Sequence, residues 1–371
     1  MTTACHAEHV GSLLRPPWLL EARAAVQEGT RPAGELRAAE DRAALEAISL
    51  QREAGLAVFS DGEVRRDTWM AGLLEDLAGV APSDHAEVPW HRDGALAPAE
   101  ETSFAAVVAT GKVSRRRNRT AVEARFLAEH APGPFKITMM SAAMGGMLWR
   151  PGLSQAAYPS PAALVADLVA LQIAEIEELI DQGVRWIQLD SLSYNQVLDP
   201  AFRAATGLAG IAPERILDRC VTADAELVRA ARRRDPEVTV AMHICRGNNR
   251  SAWMAQGSYE PVAERLFGEV GVDRFLLEYD TERAGGFEPL RFVRPGTTVV
   301  LGLVSSKRPS LEAPDELRRR VDEAARYVPL ENLALSPQCG FASTSRGNQL
   351  TVDDERRKLE LVASTARAIW G

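Results

Sequence analysis

Eight short apolar runs, each closing on small or polar residues and each followed by a longer amphipathic stretch, recur along the chain, and this alternation restricts its fold more than any other feature. They fall at residues 6–12 (HAEHVGS), 57–63 (AVFSDGE), 135–141 (FKITMMS), 186–191 (WIQLDS), 238–245 (VTVAMHIC), 274–280 (RFLLEYD), 298–305 (TVVLGLVS) and 333–339 (LALSPQC). Strand-like runs separated by helix-like stretches build a parallel sheet, and eight of them predict an α/β fold of the (β/α)8 TIM-barrel type.

Helix boundaries are written between the runs. Ser160 and Pro161 open, and Gly183 closes, a segment in which Val169, Ile173, Ile176 and Ile180 recur at helical spacing and are expected to pack on the sheet. Pro314 opens another, with Leu317, Val321, Ala324 and Val328 on one stripe and charges on the other face, as an outer-ring helix requires. Residues 65–134 break this rhythm. They are too long for one βα connection and hold a polar, Pro-bearing stretch (APSDHAEVPWHRDGALAPAEE) followed by an alternating run, SFAAVVATGKVS. A long insertion after strand two, folded as a β-hairpin over the barrel mouth, accounts for both. With no repeat or low-complexity linker to divide it, the chain reads as one catalytic barrel domain, 1–371, carrying the 65–134 insertion.

A net charge of -8, from 43 Lys+Arg against 51 Asp+Glu, gives no cationic field to gather a phosphate backbone, so nucleic acid is not an expected partner. The run Arg115, Arg116, Arg117, Asn118, Arg119 is the local exception and reads as a solvated loop or strand end, with an anionic-substrate contact as the alternative. No stretch approaches the ~18 uninterrupted apolar residues of a membrane helix, and the N-terminus lacks a signal-peptide pattern, so a cytoplasmic protein without a membrane partner is expected. The four cysteines, Cys5, Cys220, Cys245 and Cys339, are too sparse for a disulfide scaffold, which leaves each as a buried thiol or a ligand. Cys220 sits in a helical stretch and fits a core position, and Cys5 lies near the terminus, so neither is given a role.

In VTVAMHICRG, Val238, Val240, Met242 and Ile244 are large and apolar, whereas Thr239, Ala241, His243 and Cys245 are small or polar. Side chains alternate across a strand, so His243 and Cys245 point together into the barrel at the C-terminal end, where barrel enzymes place their chemistry. An HxC pair is half a zinc site. Glu278 at the end of FLLEYD and Cys339 at the end of LALSPQC bring two more donors to the same rim. Structural zinc sites prefer four Cys or His ligands in close local spacing, so a Cys2HisGlu set spread over three strands points to one catalytic zinc per chain. Its carboxylate is the most exchangeable ligand. An arriving thiol can enter there, lose its proton to the metal's charge and remain a nucleophile near neutral pH.

The segments HVGSLLRP, DGEVRRD, WIQLD, HICRGN, FLLEYDTERAGGFEPL and LSPQCGF together resemble the cobalamin-independent methionine synthase family over nearly the whole chain. The likeness is to the short, single-barrel branch, related to epoxyalkane:coenzyme M transferases. It implies that His243, Cys245, Glu278 and Cys339 hold the zinc, that Val10, Gly11 and Ser12 line an amino-acid thiol pocket, and that Glu63 and Asp190 bind the ammonium group. Glu63 and Asp190 also end inward-facing runs, with helix capping as their alternative role. His9, beside that pocket, reads as an acid/base group, a substrate contact or a buried structural imidazole. Trp149, after the turn AMGGMLW, reads as a pterin-stacking residue, a shaper of the mouth or a packing residue.

The sequence also departs from that family. The acidic pair expected after WIQL is Asp190-Ser191, and the strand-seven aspartate-x-histidine that protonates the folate leaving group is replaced by Ser305, Ser306, Lys307, Arg308 and Pro309. Methyltetrahydrofolate is a poor leaving group without an acid. Lys307 is the candidate substitute, as acid or as anion contact, against the reading of a solvated loop lysine. The leading expectation is a transferase in methionine biosynthesis that moves a methyl or other alkyl group to homocysteine or a related small thiol. The second keeps the zinc and changes the electrophile to an epoxide or activated methyl compound with a different thiol. The third is a non-catalytic zinc-binding barrel. The expected partners are a small-molecule thiol and an alkyl donor, and homo-oligomer formation is left open.

Overall fold

A computed structural model describes residues 5–83, 88–102 and 106–371. The strands are β1 (Leu77–Ser83), β2 (His91–Arg92), β3 (Ala95–Leu96), β4 (Ala106–Arg115), β5 (Ile137–Met140), β6 (Trp186–Ser191), β7 (Thr239–Ile244), β8 (Arg274–Glu278), β9 (Thr298–Val304) and β10 (Leu333–Pro337). β5 to β10 form one parallel sheet in sequential order, each following strand added at the same edge. They coincide with six of the eight predicted runs.

The other two runs close the (β/α)8 barrel without forming regular strands. Ala7 makes a parallel bridge to Leu335 and Phe59 one to Phe135. Side chains do the work a ladder would otherwise do: the Gln51 amide accepts from Ser60 N at 2.9 Å and donates to Ser60 O at 2.8 Å. Ser60 Oγ donates to Gly11 O at 3.1 Å, and Leu13 N reaches Gly62 O at 2.9 Å, which joins the two segments to each other. Buried backbone groups must be paired, and here the partner is a side chain.

Residue parity divides the sheet as the alternation predicts. Val238, Val240, Met242 and Ile244 are buried in the core between sheet and helices, which includes Leu168, Val169, Ile176 and Ile180 of the helix Pro161–Asp181. Ser160 caps that helix by accepting from Ala163 N, and Ile173 is half-buried. Leu317, Val321 and Ala324 are buried on the helix Pro314–Ala324, whereas Val328, though buried, lies past its end. Inside the ring, Val10, Val58, Trp186, Ala241, Leu276, Val300 and Ala334 pack with Cys5, so Cys5 belongs to the barrel interior.

That interior also holds charge. Glu8 Oε1 accepts from Lys136 Nζ at 3.0 Å and Glu8 Oε2 from Arg274 Nε at 3.0 Å, with Glu8 and Lys136 fully buried. Lys136 Nζ donates to Gln188 Oε1 at 2.7 Å, and Gln188 Nε2 donates to Val10 O at 2.6 Å and Asp190 Oδ1 at 2.8 Å. Two cations on one carboxylate meet the condition under which buried charge is tolerated.

The insertion forms the expected hairpin: β1 and β4 pair antiparallel from Leu77↔Arg115 to Ser83↔Ala106, while residues 84–87 and 103–105 lie outside the described residues. A smaller β2–β3 pair is bridged through His91 to Trp253 in the loop after β7, and Asn249 Nδ2 donates to Thr102 O at 2.8 Å. The insertion therefore rests on the C-terminal rim. Its last part is the helix Arg119–His130, capped by Asn118. In the arginine run, Arg115 pairs with Glu178 and Arg119 with Glu75 and Asp76, so both are structural cations. Among the described residues no helix is long and apolar enough to cross a membrane.

Glu355, on the helix Val352–Trp370, is buried against Leu14 N, which donates to it at 3.0 Å, and burial pushes its carboxyl up to about 8. Its unfolded value is about 4.3, so the folded chain holds a proton that the unfolded chain has released, and stability falls as pH rises across that window. Glu355→Gln should flatten this fall, which is checked by thermal melts between pH 5 and 8; an unchanged slope would contradict the assignment.

Candidate metal centre

Three strand ends bring His243, Cys245, Glu278 and Cys339 together, with one donor atom from each lying within 4.8 Å of all the others. β7 and β8 are paired with His243 opposite Leu276, which carries Glu278 to the next inward position beyond His243. Cys339 arrives by another route. The register between β10 and β9 slips between Ser336 and Pro337, and the chain then turns so that Gln338 and Cys339 enter the ring. Gly340 permits it: a Cβ there would lie 1.9 Å from Ser12 Oγ, so only glycine lets the first segment close over this turn.

The donors fit a metal. Cys245 Sγ and Cys339 Sγ are 3.6 Å apart, far beyond a disulfide and close to the ~3.8 Å that two sulfurs 2.3 Å from a tetrahedral ion would span. His243 Nδ1 is oriented by Leu276 O at 3.1 Å, while its buried Nε2 has no hydrogen-bond partner among the described residues. A carbonyl on one ring nitrogen and an unpartnered nitrogen turned to the other donors is the arrangement that imidazole ligands adopt.

Glu278 is held from several sides. Its Oε1 accepts from Arg246 N at 2.6 Å, its Oε2 from Arg283 at 2.8 Å and Gln338 Nε2 at 3.4 Å, and its backbone N–H donates to Tyr259 Oη at 3.1 Å. The buried Arg246 guanidinium lies over the Tyr259 ring at 4.4 Å and finds no hydrogen-bond partner among the described residues. Cation–π attraction takes that place. Gly247 N donates to Cys245 Sγ at 3.3 Å.

Electrostatics sort the donors. The hydrogen bond between Cys245 and Cys339, against the opposing effect of burial and with His243 beside it, brings Cys339 down to about 5. The same bond, with burial, pushes Cys245 well above the usual thiol range. Burial opposes the imidazolium of His243, but Cys339, Asp190 and Glu278 raise it to about 9. Burial likewise opposes the Glu278 carboxylate, and Arg283, Lys307 and His243 hold it below the ordinary range.

The other expected site residues are placed as follows. Glu63 is buried at φ 55, a left-handed conformation that is strained for a side chain; Thr138 Oγ1 donates to its Oε1 at 2.7 Å, and its Oε2 has no hydrogen-bond partner among the described residues. Asp190 faces His243 across the β6–β7 pairing, and burial together with Glu63 outweighs His243 to raise it to about 7. Gly11 packs against Glu63 so closely that a Cβ would sit 2.6 Å from Glu63 Oε1. Val10 lies in the interior cluster, and Ser12 on the turn of Cys339. His9 contacts Val58 O at 3.3 Å; burial and then Lys136 push its imidazole down to about 3, so it is neutral. Trp149 is half-buried, and its indole N–H is spent on Tyr158 O at 2.9 Å. Lys307 is no solvated loop residue: it is buried and donates to Gly247 O at 3.2 Å and Asn248 Oδ1 at 2.8 Å.

Arg246, Arg283, Tyr259 and Gln338 were not anticipated. Their signals were the arginines of HICRG and DTER, cations printed beside the donor motifs. Glu8, Lys136 and Gln188 were missed as well, although Lys136 and Gln188 stand at inward parity in their runs with Thr138 and Asp190.

A family model described as "Cobalamin-independent synthase, Catalytic domain" matches residues 7–356. Uncharacterized protein YxjH of Bacillus subtilis is 36% identical over 367 residues, covering 98% of this chain and 94% of its own length. A methionine synthase of Thermococcus kodakarensis is 22% identical over 348 residues, covering 91% of this chain and 87% of that protein. Among solved structures, a candidate vitamin-B12 independent methionine synthase from Listeria monocytogenes superposes with a TM-score of 0.72 at 31% identity, covering 99% of this chain and 98% of that one. A B12-independent methionine synthase from Shewanella, in complex with selenomethionine, gives 0.71 at 20% identity over 98% of this chain and 97% of that one, a likeness of fold.

A metal entering this cluster must displace the protons of Cys245 and His243, whereas Cys339 and Glu278 are already ionised at neutral pH. Two protons released means that apparent zinc affinity rises about a hundredfold per pH unit between pH 6 and 8. Competition titration with a chromophoric chelator checks this, and Cys339→Ala should lose bound zinc; full metal retention by that variant would remove Cys339 from the site.

Proposed function

The chain belongs to the family of cobalamin-independent synthase catalytic domains, and on that premise we propose that it is a zinc-dependent transferase that alkylates a small thiol, methyl transfer to homocysteine or a close relative being the leading reaction. The observation that carries this reading is the convergence of two thiols, an imidazole and a carboxylate within 4.8 Å, beside a second pair of buried carboxylates, Glu63 and Asp190. The first group suits a metal and the second an ammonium ion.

When bound, zinc would lower the pKa of an arriving thiol so that it persists as a nucleophilic thiolate at neutral pH. The protein's own groups do the rest. Glu63 Oε2, which no other group occupies, and Asp190 take the ammonium of an amino-acid thiol, with Val10, Gly11 and Ser12 forming the wall. This fixes the sulfur's approach, and orientation of that kind lowers the entropic part of the barrier. Glu278 is the ligand best placed to yield, because the Arg246 N–H and the Arg283 guanidinium hold its carboxylate whether or not it binds metal. The sulfur lone pair then forms the S–C bond as the electrons of the breaking bond depart with the leaving group.

One observation favours a donor other than methyltetrahydrofolate. The Ser305-Ser306-Lys307 segment after β9 carries no carboxylate or imidazole of its own to protonate a folate leaving group, and neutral His9 is no acid at physiological pH. An epoxide or an activated methyl compound needs less help from such an acid. The buried Lys307 would face that second substrate. We place the reaction in the cytosol, where small thiols are kept reduced.

X-ray absorption at the zinc edge tests the reading: homocysteine should add one sulfur to the coordination shell at the expense of a light atom, and an unchanged shell with every small thiol tried would reject it. Glu63→Gln and Gly11→Ala should each raise the KM for an α-amino thiol by roughly tenfold or more while zinc content stays constant. Methionine formation from methyltetrahydrofolate at ordinary enzyme rates would dismiss the alternative donors.

A further inference from the structure

The rim beside the metal donors opens into a cleft of ≈ 340 Å³ bounded by Arg92, Trp253, Asp280, Arg283, Lys307 and Arg308. These residues come from the loops after β7, β8 and β9 and from β2 of the insertion. Two of them join the cleft to the metal cluster: Arg283 pairs with Glu278, and Lys307 bonds the carbonyl of Gly247, whose N–H donates to Cys245.

The cations of the cleft differ in how they are matched. Arg283 lies 2.8 Å from Glu278 and 2.9 Å from Asp280, and Arg92 lies 2.8 Å from Glu101. Arg308 has a 3.6 Å contact with Asp93 across the mouth, both side chains being largely exposed, so that pair is weak and readily exchanged. Lys307 is the outlier. It is 8% exposed, its ammonium meets two neutral oxygens, and among the described residues no carboxylate comes within ion-pair distance. An ammonium carries three N–H donors, and the Glu278 and Asp280 carboxylates feel the Lys307 charge through space without bonding it directly.

We propose that this cleft binds the alkyl-donating substrate through an oxyanion group, a carboxylate, sulfonate or phosphate, seated on the third Lys307 N–H with Arg308 closing over it. The inference rests on the thiol-alkylation reading and adds to it the chemical class of the second substrate. Fixed donors from a lysine and an arginine suit a group with several charged oxygens, because charge-assisted hydrogen bonds are stronger than neutral ones and directional. Trp253 supplies a flat wall for the uncharged part, held by stacking on His91 at 4.7 Å and by Arg283 over its face at 5.6 Å.

Calorimetric titration of the zinc-loaded protein with acetate, methanesulfonate and inorganic phosphate, using dimethyl sulfone as the neutral control, tests the site. At least one oxyanion should bind more tightly than the sulfone, Lys307→Met should weaken it by roughly tenfold or more, and Arg308→Gln by roughly threefold. The preferred probe identifies the oxyanion. No preference over dimethyl sulfone, or undiminished binding in both variants, overturns the proposal. If Lys307→Met fails to fold by thermal melt, Arg308→Gln decides, and unchanged affinity there overturns it. Zinc-edge spectra of the same samples keep the two readings apart: thiol coordination without an oxyanion site refutes the cleft alone, and an oxyanion site without thiol coordination refutes its assignment to the alkyl donor.

Discussion

Two thiols and a carboxylate held together out of reach of water are mutually repulsive once ionised, and the need for a cation among them is the constraint on which the rest of this site depends. The protein supplies part of that charge itself. Arg283 pairs directly with Glu278, Lys307 sits one hydrogen bond from Gly247, and His243 leans toward the charged form beside Cys339. These groups lower the cost of collecting the donors, but none fills the centre: His243 Nε2 is left buried without a partner, and the sulfurs stand at a separation that suits a shared ion.

The barrel delivers those donors with little local distortion. β7 and β8 bring His243 and Glu278 to adjacent inward positions by parity alone, and Tyr259 then fixes Glu278 through its backbone. Cys339 needs a register slip and a glycine, Gly340, because β10 stops two residues short of it. The strained Glu63 is the counterpart on the first half of the ring, where Gln51 and Ser60 replace a strand ladder with side-chain hydrogen bonds. Both irregular places are rim positions. Departures from regular geometry concentrated at one edge of a fold are what a site imposes on a scaffold.

How far the sequence discloses this follows the same division. Parity in VTVAMHIC suffices to place His243 and Cys245, because a central strand buried on both faces has only two directions for a side chain. The helix Pro161–Asp181 is legible from its Ser-Pro start and its spacing, and the hairpin from its alternating run. What escapes is long-range and polar. Nothing local to Lys136 tells it from a surface lysine; only the closed ring sets it against Glu8, 128 residues away, and Gln188. Lys307 escapes for the same reason, since SSKRP has the composition of an exposed loop while its partners belong to the loop after β7. The first two runs were read as full strands because apolar content carries no sign that their hydrogen bonds go to side chains.

The charge layout of the rim would place opposite demands on the two proposed substrates. On the side of β6 and the first two segments stand acceptors: Glu63 Oε2, unpartnered among the described residues, and Asp190, whose Oδ1 accepts from Gln188 and which burial and Glu63 pull toward neutrality. On the side of the β8 and β9 loops the surplus is of donors, with Lys307 the member that has no direct ion pair among the described residues. A buried acceptor group and a buried donor group on opposite sides of one metal cluster cannot satisfy each other without closing the space between them. Each therefore selects a ligand of the complementary sign, and a zwitterionic or anionic molecule placed the wrong way round would leave both sets unpaired. Misorientation of that kind costs more than any contact it gains, because an unmatched buried charge loses its full solvation. On the proposed reading, the way round in which two small molecules would lie is thus built into side chains outside the donor set.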